Sequence, residues 1–262
     1  VFGWGIAGAA IATIIAQLFS AIYCFVILKQ IKLVQLAKSD FKHETKLDLN
    51  LLKLGIPVVF QNIIIGVGGS VVQYVINGYG FLFVAGFTAT NKLYGLLEMA
   101  AISYGYAIVT YVGQNLGAKQ FDRIKSGVRV SLLISLATSI VISIAMFLFG
   151  KPILSLFLSG EQHQIEAVLE IAFHYLSIMA AMLWVLYFLY VYRSALQGLG
   201  DTLLPMLSGF AEFLMRIGAA LILPIFIGFT FCALSYEGTI TKQLPVFIQV
   251  VVIVMIGHYI WM

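Results

Sequence analysis

The stretch GFAEFLMRIG, residues 209–218, decides the fold, because it puts a carboxylate and a guanidinium inside an otherwise uncharged run. That run, PMLSGFAEFLMRIGAALILPIFIGF (residues 205–229), is long enough to cross a bilayer, which takes about 20 mostly apolar residues. Glu212 and Arg216 lie four apart, so they stack on one helix face with the acid toward the N-terminus, the favourable order. Together they form a nearly neutral unit, which lowers the cost of burying either. Ser208 and Pro205 continue that face. Such a pair is weak support for stability. It argues instead that this face meets protein or water rather than lipid.

The whole chain repeats the pattern of this stretch. It has 262 residues, 61% hydrophobic and only 10% charged, whereas soluble domains carry about one quarter charged residues. So few charges cannot build a water-facing surface, and the chain reads as an all-α, polytopic membrane helix bundle. Seven stretches qualify as spans: 4–28, 54–77, 81–113, 130–150, 168–192, 203–228 and 244–262. A membrane barrel would alternate apolar and polar residues, and these runs are continuous. The opening VFGWGIAGAAIATIIAQ has no Met and no charged leader, so it reads as the interior of a longer protein rather than a signal peptide.

Basic residues mark cytoplasmic connections. Lys29, Lys32, Lys38, Lys42, Lys46 and Lys53 fill the first connection, and Lys119, Arg123, Lys125 and Arg129 the third, while Arg193 ends the fifth span. The second connection, NGYGF, has none. This alternation places 28–53, 114–129 and 194–202 in the cytoplasm. The basic loop also carries Asp40, Glu44 and Asp48, which reads as a solvated topogenic linker and not as a nucleic-acid patch.

Motifs for catalysis are not found. GWGIAG (3–8) matches a dinucleotide fingerprint in letters only: no strand precedes it, and no acid follows about 20 residues on. Gly5/Ala9 and Gly8/Ala12 read instead as small residues for close helix contact. His43, His163, His174 and His258 are scattered, with no metal-binding spacing, and Cys24 and Cys232 do not make a disulfide framework. No cofactor, metal or enzyme chemistry is expected.

Polar residues inside spans are the candidate site. In the third span Thr88, Asn91, Lys92, Gly95 and Glu98 fall within about 120° of arc, and Tyr106 extends the same face. Intramembrane ionisable residues are costly and normally face a bundle interior or wet cavity. The plain alternative is that Lys92 and Glu98 pair with neighbouring helices for packing alone. The second span carries Gln61, Asn62, Ser70 and Gln73 with glycines at 66, 68 and 69, residues that serve interhelical hydrogen bonding or ligand contact equally well. The expected cavity residues are Gln61, Asn91, Lys92, Glu98, Glu212 and Arg216.

Several segments in order resemble the multidrug and toxic compound extrusion (MATE) family of secondary transporters. They are GWGIAGAAIATIIAQ (3–17), LLKLGIPVVFQN (51–62), VAGFTATNKL (84–93), TYVGQNLGAKQFDRIKSGV (110–128), YRSALQGLGDT (192–202) and EFLMR (212–216). VGQNLGA and LQGLGDT are the most specific. The resemblance implies twelve helices in two six-helix lobes, in a multi-pass protein of the plasma (inner) membrane. Residues 1–28 would be the last helix of the N-terminal lobe and 29–50 a cytoplasmic lobe linker. Residues 51–262 would be the C-terminal six-helix lobe, with the likeness fading after about residue 229. It further implies efflux of cationic or amphipathic small molecules in exchange for protons or sodium, by rocking of this lobe against an N-terminal lobe. Acidic residues that hold the coupling cation in some members would fall here at Gln61 or Asn62 and at Leu186, which are not acidic. The alternatives are a lipid-linked-sugar flippase of the same superfamily, which would want a more cationic cavity, and a non-transporting scaffold, which would not need a polar stripe.

Overall fold

In hydrocarbon every backbone N–H and C=O must find its partner within its own segment, so long apolar runs become helices. The computed structural model describes residues 5–31, 44–158 and 162–234, with side chains described up to Leu221. Its helices are α1 (Gly5–Gln30), α2 (Thr45–Asn77), α3 (Phe81–Gly117), α4 (Phe121–Ser155), α5 (Gln162–Ala181), α6 (Leu183–Gly198) and α7 (Leu203–Leu234). Five of them are long and apolar enough to cross a membrane singly, and α5 and α6 together pass the same test as a broken span bent by 49°. The seventh expected span, 244–262, lies outside the described residues, as do His43, His258 and the side chains of His163 and Cys232.

Contacts divide the chain into two units, Val1–Asn50 and Leu51–Met262. In the first, α1 carries Ile14, Ile15, Phe19 and Tyr23 exposed. In the second, α3 is the central post, packed against α4, α5 and α6. Leu93, Leu97 and Ala101 of α3 join Leu176, Ala180, Leu183 and Tyr187 in one core. Polar side chains tie the same helices by reaching backbone oxygens. Thr90 Oγ1 donates to Ala172 O at 2.9 Å, and Tyr187 Oη to Leu97 O at 3.1 Å. Close approach is allowed where a side chain is missing: a Cβ on Gly198 of α6 would stand 2.8 Å from Val112 of α3.

Helices are longer and connections shorter than the hydropathy alone suggests. The third connection is only Ala118–Gln120, so Arg123, Lys125 and Arg129 ride on the first turns of α4. Likewise α2 starts at Thr45, which puts Pro57 inside the helix and not near its start. There it withholds one donor from the helix ladder. The fifth span is not one rod: it breaks at Met182, whose N–H reaches Ile178 O at 3.2 Å while Val185 N–H bonds Met182 O at 3.1 Å. The second of these is the tighter three-residue bond, so the helix restarts on a new axis.

The two most specific motifs turn out to be one device used twice. In VGQNLGAKQ, Gln120 N–H bonds Asn115 O at 2.9 Å; in LQGLGD, Asp201 N–H bonds Leu196 O at 3.0 Å. Each is the six-to-one bond that closes a helix through a left-handed residue. That residue is Lys119 (φ 56°) in the first and Gly200 (φ 86°) in the second. Asp201 then starts α7, its Oδ1 accepting from Leu203 and Leu204 N–H at 3.0 and 3.1 Å.

Candidate functional site

Inside the second unit lies a cavity of about 380 Å³, walled by α2, α3, α5, α6 and α7. Its charged lining comes from α3 (Glu98), α6 (Arg193) and α7 (Glu212 and Arg216). Phe87, Tyr94, Tyr175 and Tyr190 give it an aromatic wall, with Phe87 and Tyr175 stacked at 5.3 Å between centroids.

Glu212 organises the cationic wall. Its Oε1 accepts from Arg216 Nη2 at 2.6 Å and its Oε2 from Arg193 Nη2 at 2.9 Å. Arg193 Nε also donates to Ser208 Oγ at 2.7 Å. The Glu212–Arg216 pair expected at i, i+4 is therefore present, and Ser208 shares its face as expected. Glu212 is the most sheltered member, its side chain only 6% exposed against 13% for Arg193 and 26% for Arg216.

On α3, Glu98 Oε1 accepts from Tyr190 Oη at 2.8 Å. Asn91 lies about two turns earlier on α3, with Tyr175 Oη at 3.5 Å from its Oδ1. Tyr190 and Arg193 belong to a ladder on α6, spaced at three to four residues. Tyr187 and Tyr190 reach α3, Arg193 reaches α7, and Gln197 Nε2 reaches Gln61 Oε1 on α2 at 3.5 Å. One short helix is thus tethered by side chains to three others.

The six expected cavity residues divide. Asn91, Glu98, Glu212 and Arg216 line the cavity, and Gly95 does too. Gln61 does not: it is buried in the α2–α7 contact, where a Cβ on Gly209 would stand 2.8 Å from its Cγ. Lys92 is exposed and outside the lining, on the neighbouring edge of α3 with Thr88 and Tyr106. The polar stripe of the third span is therefore two edges, one turned into the cavity and one exposed. On α2, Gln73 and Gly69 line the cavity, whereas Asn62 is exposed and Ser70 Oγ donates back to Gly66 O. Leu186 lines the cavity as an apolar residue.

Arg193 and Tyr190 were not among the expected site residues. Arg193 carries a span-end charge and reads as a topology signal until α6 is seen to continue to Gly198. The usable signal was the regular spacing of Tyr187, Tyr190, Arg193 and Gln197.

The sequence model of the MatE family matches residues 57–222, more than half of the chain. The chain belongs to the MatE family. Probable multidrug resistance protein YpnP of Bacillus subtilis is 32% identical over 171 residues, 62% of this chain and 38% of its own length. Probable multidrug resistance protein NorM of Thermotoga maritima is 27% identical over 207 residues, 79% of this chain and 43% of its own length. The fold is shared with a MATE structure solved in complex with MaL6. That match has TM-score 0.75 at 17% identity and covers 99% of this chain and 56% of that one. The chain thus spans less than half the length of these curated relatives. Its relatives are transporters and not enzymes, and the MatE chain is a multi-pass membrane protein.

Proposed function

We propose that this MatE chain works in a secondary active efflux transporter, exporting drugs or organic cations in exchange for protons or sodium. The carrying observation is the cavity enclosed by long apolar helices and lined by Glu98 of α3 and by the Arg193–Glu212–Arg216 triad of α6 and α7. Ionisable groups inside a membrane mark substrate or ion pathways. Glu98 is held by a neutral phenol and, among the described residues, has no cation within ion-pair distance. It is therefore our candidate for exchanging a coupling ion. In this reading residues 1–28 are the last helix of an N-terminal lobe, 29–50 the linker, and 51–262 the C-terminal lobe. The division of contacts after Asn50 supports that boundary. Substrate would cross as the lobes rock about a central cleft. The exposed edge of α3 with Thr88, Lys92 and Tyr106 suits such a cleft better than it suits lipid.

Dye efflux by the complete gene product is the test. Cells or liposomes carrying it should extrude a cationic dye when given a proton or sodium gradient, and Glu98→Gln should lose gradient dependence. A correctly folded complete protein that moves no dye under either gradient would refute the reading.

A further inference from the structure

We propose that the break at Met182 is a hinge and that Ser143 of α4 is the residue that latches it bent. The proposal rests on the transport reading above, because it assigns a moving part to that transporter.

The axes of α5 and α6 meet at 49°. Sharp kinks come from proline, from glycine–serine pairs, from a π-bulge or from a side chain inserted into the hydrogen-bond ladder. The segment AAMLWV, residues 180–185, has neither proline nor glycine. It does have an inserted side chain. A helix end leaves its last carbonyls short of partners. At the end of α5, Met182 N–H takes Ile178 O, and Ser143 Oγ of α4 donates to Ala180 O at 2.5 Å. In an unbroken helix Ala180 O is the acceptor for Trp184 N–H. The hydroxyl therefore sits where the straight ladder would run.

Ser143 is out of pattern on its own helix. Ser135 and Ser139, earlier on α4, donate to Leu132 O and Leu136 O of the same helix. That is the usual habit of a serine inside a helix. Ser143 has the same alternative, at Ser139 O or Ile140 O, and leaves it for α5. The same groups therefore have two arrangements. With Ser143 on α5 the span is bent. With Ser143 turned back to α4, Ala180 O is free for Trp184 N–H and the ladder closes. A proline kink has no such second arrangement, because its missing N–H is permanent. The bend matters for what α6 carries: Tyr187 donates to Leu97 O, Tyr190 to Glu98 and Arg193 to Glu212. The α5 arm is held separately, with Thr90 donating to Ala172 O. Closing the ladder swings α6 and draws Tyr190 and Arg193 off their carboxylates. Ser143 acts through α6, so it is a positioning residue.

The test places spin labels at Glu170→Cys and Tyr192→Cys in the complete, cysteine-free transporter, at exposed positions of α5 and α6. At a rise of about 1.5 Å per residue, straightening the bend lengthens the distance between them by about 3 Å. Adding Ser143→Ala should bring in that longer distance and cut gradient-driven dye efflux several-fold. Ser143→Thr keeps the hydroxyl and should restore both. In a Tyr190→Phe background Ser143→Ala should reduce efflux little further, because the bond from α6 to Glu98 is already gone. An unchanged distance in Ser143→Ala overturns the proposal, and so does a longer distance that Ser143→Thr shares. A Ser143→Ala chain that does not fold also overturns it, since the hydroxyl would then be part of the fold and not a latch. Efflux by the unaltered protein with no distance shift in Ser143→Ala refutes the hinge alone. Absence of efflux by the unaltered protein refutes the transport reading, and a distance shift then still stands as evidence of the hinge.

Discussion

Arg193 on α6 and Glu212 on α7 meet at 2.9 Å, and the same carboxylate holds Arg216 at 2.6 Å. The charge pair that looks self-contained in the sequence is therefore the visible half of an interhelical triad. One carboxylate neutralises part of two cations, so its loss should be felt most.

Glu212→Gln leaves two guanidiniums facing one amide oxygen, without the negative charge they share. It should destabilise the complete protein by about 3–5 kcal/mol, the usual result of stranding a buried charge. Arg216→Gln should cost less, because Glu212 keeps Arg193. The double variant Glu212→Gln/Arg216→Gln should be less damaged than the two single effects summed. Thermal unfolding in detergent measures each. Strict additivity in that cycle would mean that Glu212 and Arg216 act independently.

The Tyr190 hydroxyl is the bond between α6 and Glu98. Tyr190→Phe keeps the ring and removes the donor, so stability should fall by only about 1 kcal/mol. Gradient-driven transport should fall several-fold. In a Glu98→Gln background the same change should do little more, since the partner is already altered. Equal loss in both backgrounds would show that Tyr190 serves packing alone.

How far the sequence reached depends on the kind of signal. Helix class and the six spans that fall within the described residues follow from hydrophobicity, which acts residue by residue, and so those apolar runs were legible. The i, i+4 geometry of Glu212 and Arg216 is local and was legible too. The bend at Met182 was not, because AAMLWV has neither proline nor glycine to announce it. Arg193 was hidden by its own helix: α6 runs to Gly198, five residues past the charge, and carries it back toward α7. Lys92 shows the limit of arc arguments. A 120° stripe is wide enough to span two edges of α3, and only the neighbouring helices decide which edge is covered.

Asp201 ties the second helix-closing turn to the start of α7 by accepting from Leu203 and Leu204 N–H. Asp201→Ala should cost about 1 kcal/mol, the usual value for removing a helix-capping side chain. Asp201→Asn should recover most of it, because an amide oxygen caps as well. An Asn variant as unstable as the Ala variant would assign the aspartate's role to its charge instead.

The two edges of α3 make the most discriminating prediction. Single cysteines in a complete, cysteine-free transporter would be tested with a membrane-impermeant thiol reagent. Cysteines at Asn91 and Glu98 enter the cavity and should react, more slowly when substrate is bound. Cysteines at Thr88 and Lys92 lie on the exposed edge and should also react, but through the central cleft, so their rate should follow the gradient that sets the lobes' position. Leu93 and Leu97 are 3% and 9% exposed in the helix core, and cysteines there should stay silent. If the cavity edge is silent while the exposed edge reacts, the intralobe cavity is dry and Glu98 is held for packing by Tyr190. If both edges react but substrate protects only Thr88 and Lys92, the ligand stays in the cleft and never reaches Glu98. Protection at Asn91 and Glu98 together, with Leu93 and Leu97 silent, is what a ligand seated between α3 and the arginine triad requires.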